Sequence, residues 1–91
     1  MFTIISYDIV EDKRRTKVMK FLKGYGMRVQ YSVFECDLTA LQFAKVQHTI
    51  LGLIDLKTDS VRCYQLNVAA VKQIKILGQG QVMTAPPYYL V

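Results

Sequence analysis

Asp8 closes an apolar stretch, Phe2-Thr-Ile-Ile-Ser-Tyr7, and cations crowd the residues that follow it. Lys13, Arg14, Arg15, Lys17, Lys20, Lys23 and Arg28 are seven of the twelve Lys and Arg residues. No Asp or Glu interrupts residues 13 to 28. A carboxylate can hold a divalent metal, and Mg²⁺ commonly takes one or two carboxylates with water completing its octahedron. The cations can hold a polyanion. Together they point to nucleic acid and to its cleavage by metal-assisted hydrolysis. One Asp per chain is thin for a nuclease. A twofold dimer that brings two Asp8 side chains together supplies a second, and such close carboxylates need a cation or a shared proton. As a structural residue, Asp8 would instead cap the turn after its strand.

The cations divide by residue type and place. Lys13, Lys17, Lys20 and Lys23 fall on one side of a helix and read as a solvated face. Arg14 and Arg15 flank the opposite, apolar stripe. Arginine suits bidentate phosphate contacts, so Arg14, Arg15, Lys17 and Arg28 are the candidate phosphate contacts. Such contacts position a backbone without reading its sequence. Lys13, Arg14 and Arg15 also crowd the first helical turn, where the helix dipole disfavours cations by several tenths of a kcal/mol each. A helix with no ligand would prefer acids there. Tyr7, Tyr31 and Phe34 are aromatics that could stack bases on a sheet, but packing in a core or interface is their expected role. His48 is the sole histidine, so one chain cannot run a two-histidine acid/base ribonuclease mechanism. The chain has no P-loop, GxGxxG or Ser/His/Asp set.

These residues need elements to place them. Residues 2 to 9 read as a β-strand that is apolar on both faces, with Phe2 and Ile4 on one and Ile5, Tyr7 and Ile9 on the other. Such a strand needs cover on both sides. Asp8 shares the face of Phe2, Ile4 and Ser6. A helix is expected from Asp12, as N-cap, to Lys23, with Val18, Phe21, Leu22 and Tyr25 as its stripe. Residues 27 to 37 read as a second strand, with Arg28 and Phe34 on its polar face. Thr39-Ala-Leu-Gln42 is a capping-box pattern that opens a helix lined by Phe43, Val46, Ile50, Leu53 and Ile54. Ser60 to Leu66 read as a third strand, Asn67 to Lys72 as a short helix or turn, and Gln73 to Leu77 as a fourth strand. Residues 1–80 then form one α+β domain on the ferredoxin-like plan, β-α-β-β-α-β. The apolar tail, residues 81–91, adds an edge strand near Gln81 to Thr84 and then packs along another surface. Pro86 and Pro87 bar it from a central strand.

Composition bounds the rest. Ninety-one residues make one small domain, and 52% of them are hydrophobic. That is more apolar surface than a small monomer easily hides, which favours a homodimer. The net charge of +5 favours anionic partners. No apolar run reaches the roughly 18 residues of a membrane span, and the N-terminal apolar stretch is too short for a signal sequence. A soluble, cytoplasmic protein with no membrane partner is expected. Cys36 and Cys63 do not have a metal-site spacing and read as free thiols.

Four segments resemble one family. Tyr7-Asp8-Ile9, Asp12-Lys-Arg-Arg-Thr-Lys-Val18, Gly26-Met-Arg-Val-Gln-Tyr-Ser-Val-Phe-Glu-Cys36 and Asp59-Ser-Val-Arg62 are similar, in order and spacing, to the CRISPR-associated Cas-two proteins. These are the small partners of the Cas integrase. The resemblance implies a ferredoxin-like homodimer with facing sheets and a C-terminal segment that extends the partner's sheet. It implies Mg²⁺ at Asp8 and a part in capturing new spacer DNA. It also implies endonuclease activity, on single-stranded RNA in some members and on double-stranded DNA in others. Tyr7, Asp8, Arg15, Arg28 and Phe34 match the family's functional positions, and Lys17 stands where some members have Arg. A non-catalytic DNA-clamping scaffold of the integrase complex, and a toxin-like ribonuclease akin to the virulence-associated VapD group, are the alternatives.

Overall fold

A computed structural model describes residues 1–83. β1 (Phe2–Asp8) leads into α1 (Asp12–Lys23), then a hairpin of β2 (Gly26–Gln30) and β3 (Val33–Asp37). α2 (Ala40–Leu53), β4 (Ser60–Leu66) and the short α3 (Val68–Lys72) follow. The strands form one antiparallel sheet in the order β2-β3-β1-β4. No helix among the described residues is long and apolar enough to cross a membrane.

The expected β-α-β-β-α-β order is present, but two of the expected strands differ from those observed. Residues 27 to 37 are not one strand. They are β2 and β3, and Tyr31 and Ser32 make the turn between them. Apolar and polar residues alternate straight across that turn, with no Gly, Asn or Pro to announce it. The register also slips between Arg28 and Gln30, so the pattern of one strand does not predict the facing of the next. Phe34 is the casualty: expected on the polar face, it is fully buried. Residues 73 to 77 are not a strand either. β1 already has β3 on one side and β4 on the other, and the four-stranded sheet is complete without Gln73–Leu77. Residues 81–83 form no strand, and the rest of the expected edge strand lies outside the described residues.

β1 is the central pivot of the core. Thr3, Ile5 and Tyr7 are buried beneath the helices, while Phe2, Ile4 and Ser6 are half-buried and Asp8 is exposed on the other face. Phe34 and Cys36 of β3, Val18 and Leu22 of α1, and Val46 and Ile50 of α2 complete the buried cluster. Phe21 and Tyr25 pack against it, ring centroids 5.2 Å apart. The α1 span is as expected, although Glu11 and not Asp12 is the N-cap. The capping box of α2 is complete. Gln42 N–H donates to Thr39 Oγ1 at 3.1 Å, and Thr39 N–H donates to Gln42 Oε1 at 2.9 Å. Such a cap stabilises a helix by about 1 kcal/mol. Cys36 and Cys63 are both free, and burial pushes the Cys36 thiol up to about 11.

The strand entry at Gly26 tolerates no side chain. A Cβ there would sit 2.9 Å from Cys36 Cα and collide with Cys36 Sγ and the Glu35 carbonyl oxygen. Two of those three atoms are backbone atoms of β3, and the third belongs to a fully buried side chain. Gly26→Ala should therefore destabilise the fold by about 1–3 kcal/mol through overpacking, measured by chemical denaturation. A stability equal to that of the unmodified chain would contradict this close approach.

Candidate functional site

Asp8 is the last residue of β1, and it sits directly across from Ser60 at the start of β4. The pleat that buries Tyr7 turns Asp8 to the opposite face. Its carboxylate is exposed and has no hydrogen bond or ion pair among the described residues. That geometry suits a hard divalent cation such as Mg²⁺, which accepts one carboxylate and fills its other positions with water and phosphate oxygens. No group of three His, Cys, Asp or Glu residues gathers anywhere among the described residues.

Tyr7 and Phe34 lie on the other face. Tyr7 is 5% exposed, and its ring stacks on Phe34 at 6.4 Å between centroids. Tyr7 N–H donates to the Ser32 carbonyl at 3.0 Å and holds the β2–β3 turn against β1. Burial raises the Tyr7 hydroxyl above its ordinary value, Arg28 and Arg15 pull it down, and Tyr31 adds to the rise. Tyr7 is thus a packed residue beside two guanidinium groups.

The four candidate phosphate contacts are not equivalent. Arg28 is exposed. Its Nε–H donates to the Tyr31 carbonyl at 2.9 Å, and its guanidinium carbon stands 4.9 Å above the Tyr31 ring. Lys17 is exposed on α1 with no polar partner among the described residues. Arg15 folds back over the loop after Asp8. It donates to the carbonyls of Ile9 at 3.1 Å and Val10 at 3.2 Å, and to Asp12 Oδ1 at 2.6 Å. Arg14 turns inward. Its Nε–H donates to Asp59 Oδ2 at 2.8 Å and an Nη–H to Asp59 Oδ1 at 3.3 Å, with Glu11 3.4 Å away. Lys13 has no acidic partner among the described residues, while the two arginines of the first turn are thus answered by Glu11, Asp12 and Asp59. Their unfavourable place on the helix dipole is explained by the fold's own acids, and for Arg14 it no longer implies a ligand.

Asp59 is the residue that sequence reasoning passed over. Its side chain has no solvent exposure. Besides Arg14, it accepts from Val10 N–H at 3.1 Å, Asp55 N–H at 2.9 Å and the Thr58 hydroxyl at 3.3 Å. It therefore ties the loop after Asp8 to the turn before β4. The local sequence signals only a polar turn. Four donors converging from three segments become visible once β1 and β4 are paired. Arg62 was also passed over as a site residue. It is exposed on β4, opposite Ser6.

The site set is therefore split by the sheet. Asp8 and Arg62 share the open face. Tyr7, Phe34, Arg28 and Arg15 belong to the helix side or its margin, at the same end of β1.

A family model, CRISPR associated protein Cas2, matches residues 1–74. The chain belongs to the Cas2 family. A Chloroflexus aurantiacus protein named CRISPR-associated endoribonuclease Cas2 3 is 53% identical over 91 residues, covering 100% of this chain and 98% of that one. The crystal structure of Streptococcus pyogenes Cas2 at pH 6.5 matches with a TM-score of 0.77 and 37% identity, over 86% of this chain and 100% of that chain. A chain of a partial Cas6-RT-Cas1–Cas2 complex matches with a TM-score of 0.79 and 28% identity, over 93% of both chains. The Cas2 resemblance of the sequence segments and the α+β fold are thereby established for this chain.

The Asp59 tie in this Cas2 fold has a measurable signature. The Arg14 hydrogen bond holds the Asp59 carboxyl well below the usual carboxylate range. Burial opposes this, and the Asp55 and Val10 N–H groups assist it. A group whose folded pKa lies below its unfolded value, near 3.9, contributes fully above about pH 4. The contribution fades as pH falls through the folded value. Asp59→Asn should lower Tm at neutral pH, with the gap from wild type narrowing below about pH 4. Thermal melts across that range check it, and a gap independent of pH would contradict the ionic tie.

Proposed function

We propose that this Cas2-family chain is a divalent-metal-dependent endonuclease that hydrolyses phosphodiester bonds in single-stranded RNA or duplex DNA. Its setting is the acquisition of CRISPR spacers alongside the Cas integrase. One observation carries the reading: an exposed carboxylate at the end of β1, with no partner among the described residues, lies at the same end of the sheet as Arg28. The similar proteins support it, since one is named an endoribonuclease and another an endonuclease. A complex that contains Cas1 and Cas2 supports the integrase partner. Family membership sets aside the VapD-like alternative.

Asp8 would hold the ion, and Mg²⁺ is the natural candidate for an oxygen donor with few protein ligands. When bound, the ion would supply charge neutralisation at the phosphoryl oxygens and activation of water. Arg28 and Lys17 hold flanking phosphates and fix the register of the strand. Arg15 acts on the loop: its bonds to the Ile9 and Val10 carbonyls keep the chain after Asp8 from swinging. Arg14 supports that same loop through Asp59. A homodimer with facing sheets would supply the second carboxylate. The half-buried Phe2, Ile4 and Leu66 on the open face support that arrangement. Residues 81–91 as a tail packing on the partner belong to the same proposal.

The second reading is a scaffold that binds duplex DNA in the integrase complex without cutting it. The absence of any group of three potential metal ligands among the described residues favours it. Asp8→Ala separates the two. It should abolish Mg²⁺-dependent cleavage of labelled RNA and DNA while leaving binding and the fold intact. Cleavage at the wild-type rate in the presence of a chelator would eliminate the enzyme reading. For either reading, Lys17→Ala and Arg28→Ala should each reduce the slope of log affinity against log salt on duplex DNA by roughly 0.9. A slope unmoved by both changes would remove them from the phosphate surface.

A further inference from the structure

Along the open face, the rows that pair β1 with β4 change character. Phe2 faces Leu66 and Ile4 faces Tyr64, then Ser6 faces Arg62 and Asp8 faces Ser60. One end of the face is apolar and suited to burial. The other is polar and carries both an acid and a base. Arg62 and Asp8 occupy diagonal positions of one ladder, about 7–8 Å apart at the backbone. That spacing is within reach of an arginine side chain. Yet Arg62 makes no ion pair among the described residues; its one side-chain partner is the Tyr64 hydroxyl, at 3.5 Å. Asp8 has none. Arg14 and Arg15 on the other face each bind an acid of the fold. Arg62 is left for something outside it.

We propose that Arg62 contacts the scissile phosphodiester beside Asp8, its guanidinium donating to non-bridging oxygens. The proposal rests on the phosphodiesterase reading of Asp8. A carboxylate alone repels a phosphate, and a guanidinium alone leaves a cation without a seat. Side by side they match a phosphate that arrives with a divalent ion. The planar fork of arginine meets two oxygens at once, which a lysine ammonium does not. Ser6 and Ser60, opposite the two charged residues, keep that end of the face open to polar ligands. Arg62 lies within the segment Asp59-Ser-Val-Arg62, whose acid is already explained by its tie to Arg14.

The test uses the full chain with Mg²⁺, labelled single-stranded RNA and labelled duplex DNA. It compares wild type, Arg62→Ala, Arg62→Lys and Asp8→Ala. Arg62→Ala should lower kcat/KM at least about tenfold, the loss of one charge-assisted contact. Arg62→Lys should recover part of it. The salt slope of binding should fall by about 1 for Arg62→Ala, with sedimentation unchanged. Cleavage within about twofold of wild type and an unmoved slope would overturn the proposal. So would a loss of activity that follows a change in sedimentation, because Arg62 would then serve subunit pairing. If Asp8→Ala cuts as well as wild type, the Asp8 reading fails, and the salt slope alone decides Arg62.

Discussion

Successive residues of β1 point to opposite faces, and β1 is held on both edges by β3 and β4. Ile5 and Tyr7 are therefore driven under the helices while Asp8, one residue later, is driven out. A slip of one residue would bury the carboxylate and expose the aromatic ring. The apolar pattern of the strand forbids that slip, because Ile5 and Tyr7 anchor the core. The exposure of Asp8 is thus a by-product of the strongest packing in the molecule.

The second condition is the Asp59 tie. A strand end is free to fray, and a loop of few residues follows Asp8 before α1 begins. Asp59 accepts the Val10 N–H and the Arg14 guanidinium, and Arg15 holds the carbonyls on the loop's other side. The loop's polar backbone is answered from both directions. Two arginines that looked like ligand contacts are part of this frame. Of the arginines, Arg28 and Arg62 form no ion pair with an acid among the described residues, and neither does Lys17.

The segment after α3 bears on the open face as well. Met83 N–H donates to Glu35 Oε1 at 2.8 Å, and Glu35 is 9% exposed. A carboxylate on the open face of β3 is thereby covered by the chain's own backbone. The open face is consequently uneven. Its β2–β3 half carries the C-terminal segment, and its β1–β4 half presents the Asp8–Arg62 corner.

Periodicity was enough to place β1, α1, α2 and β4, since each has a clean apolar repeat and α2 has a capping box. It was enough to set Asp8 on the face of Phe2, Ile4 and Ser6, because a period of two leaves no choice. It failed at Tyr31-Ser32, where a turn without turn residues hid a hairpin and reversed the facing of Phe34. It failed at Gln73–Leu77, where a short alternation resembled a strand but joins no sheet. The roles of Arg14 and Asp59 depend on a contact across 45 positions of chain. Local pattern reports which way a side chain points from its own element. It carries no information about which distant partner waits there, because that is set by strand pairing and helix packing over the whole domain.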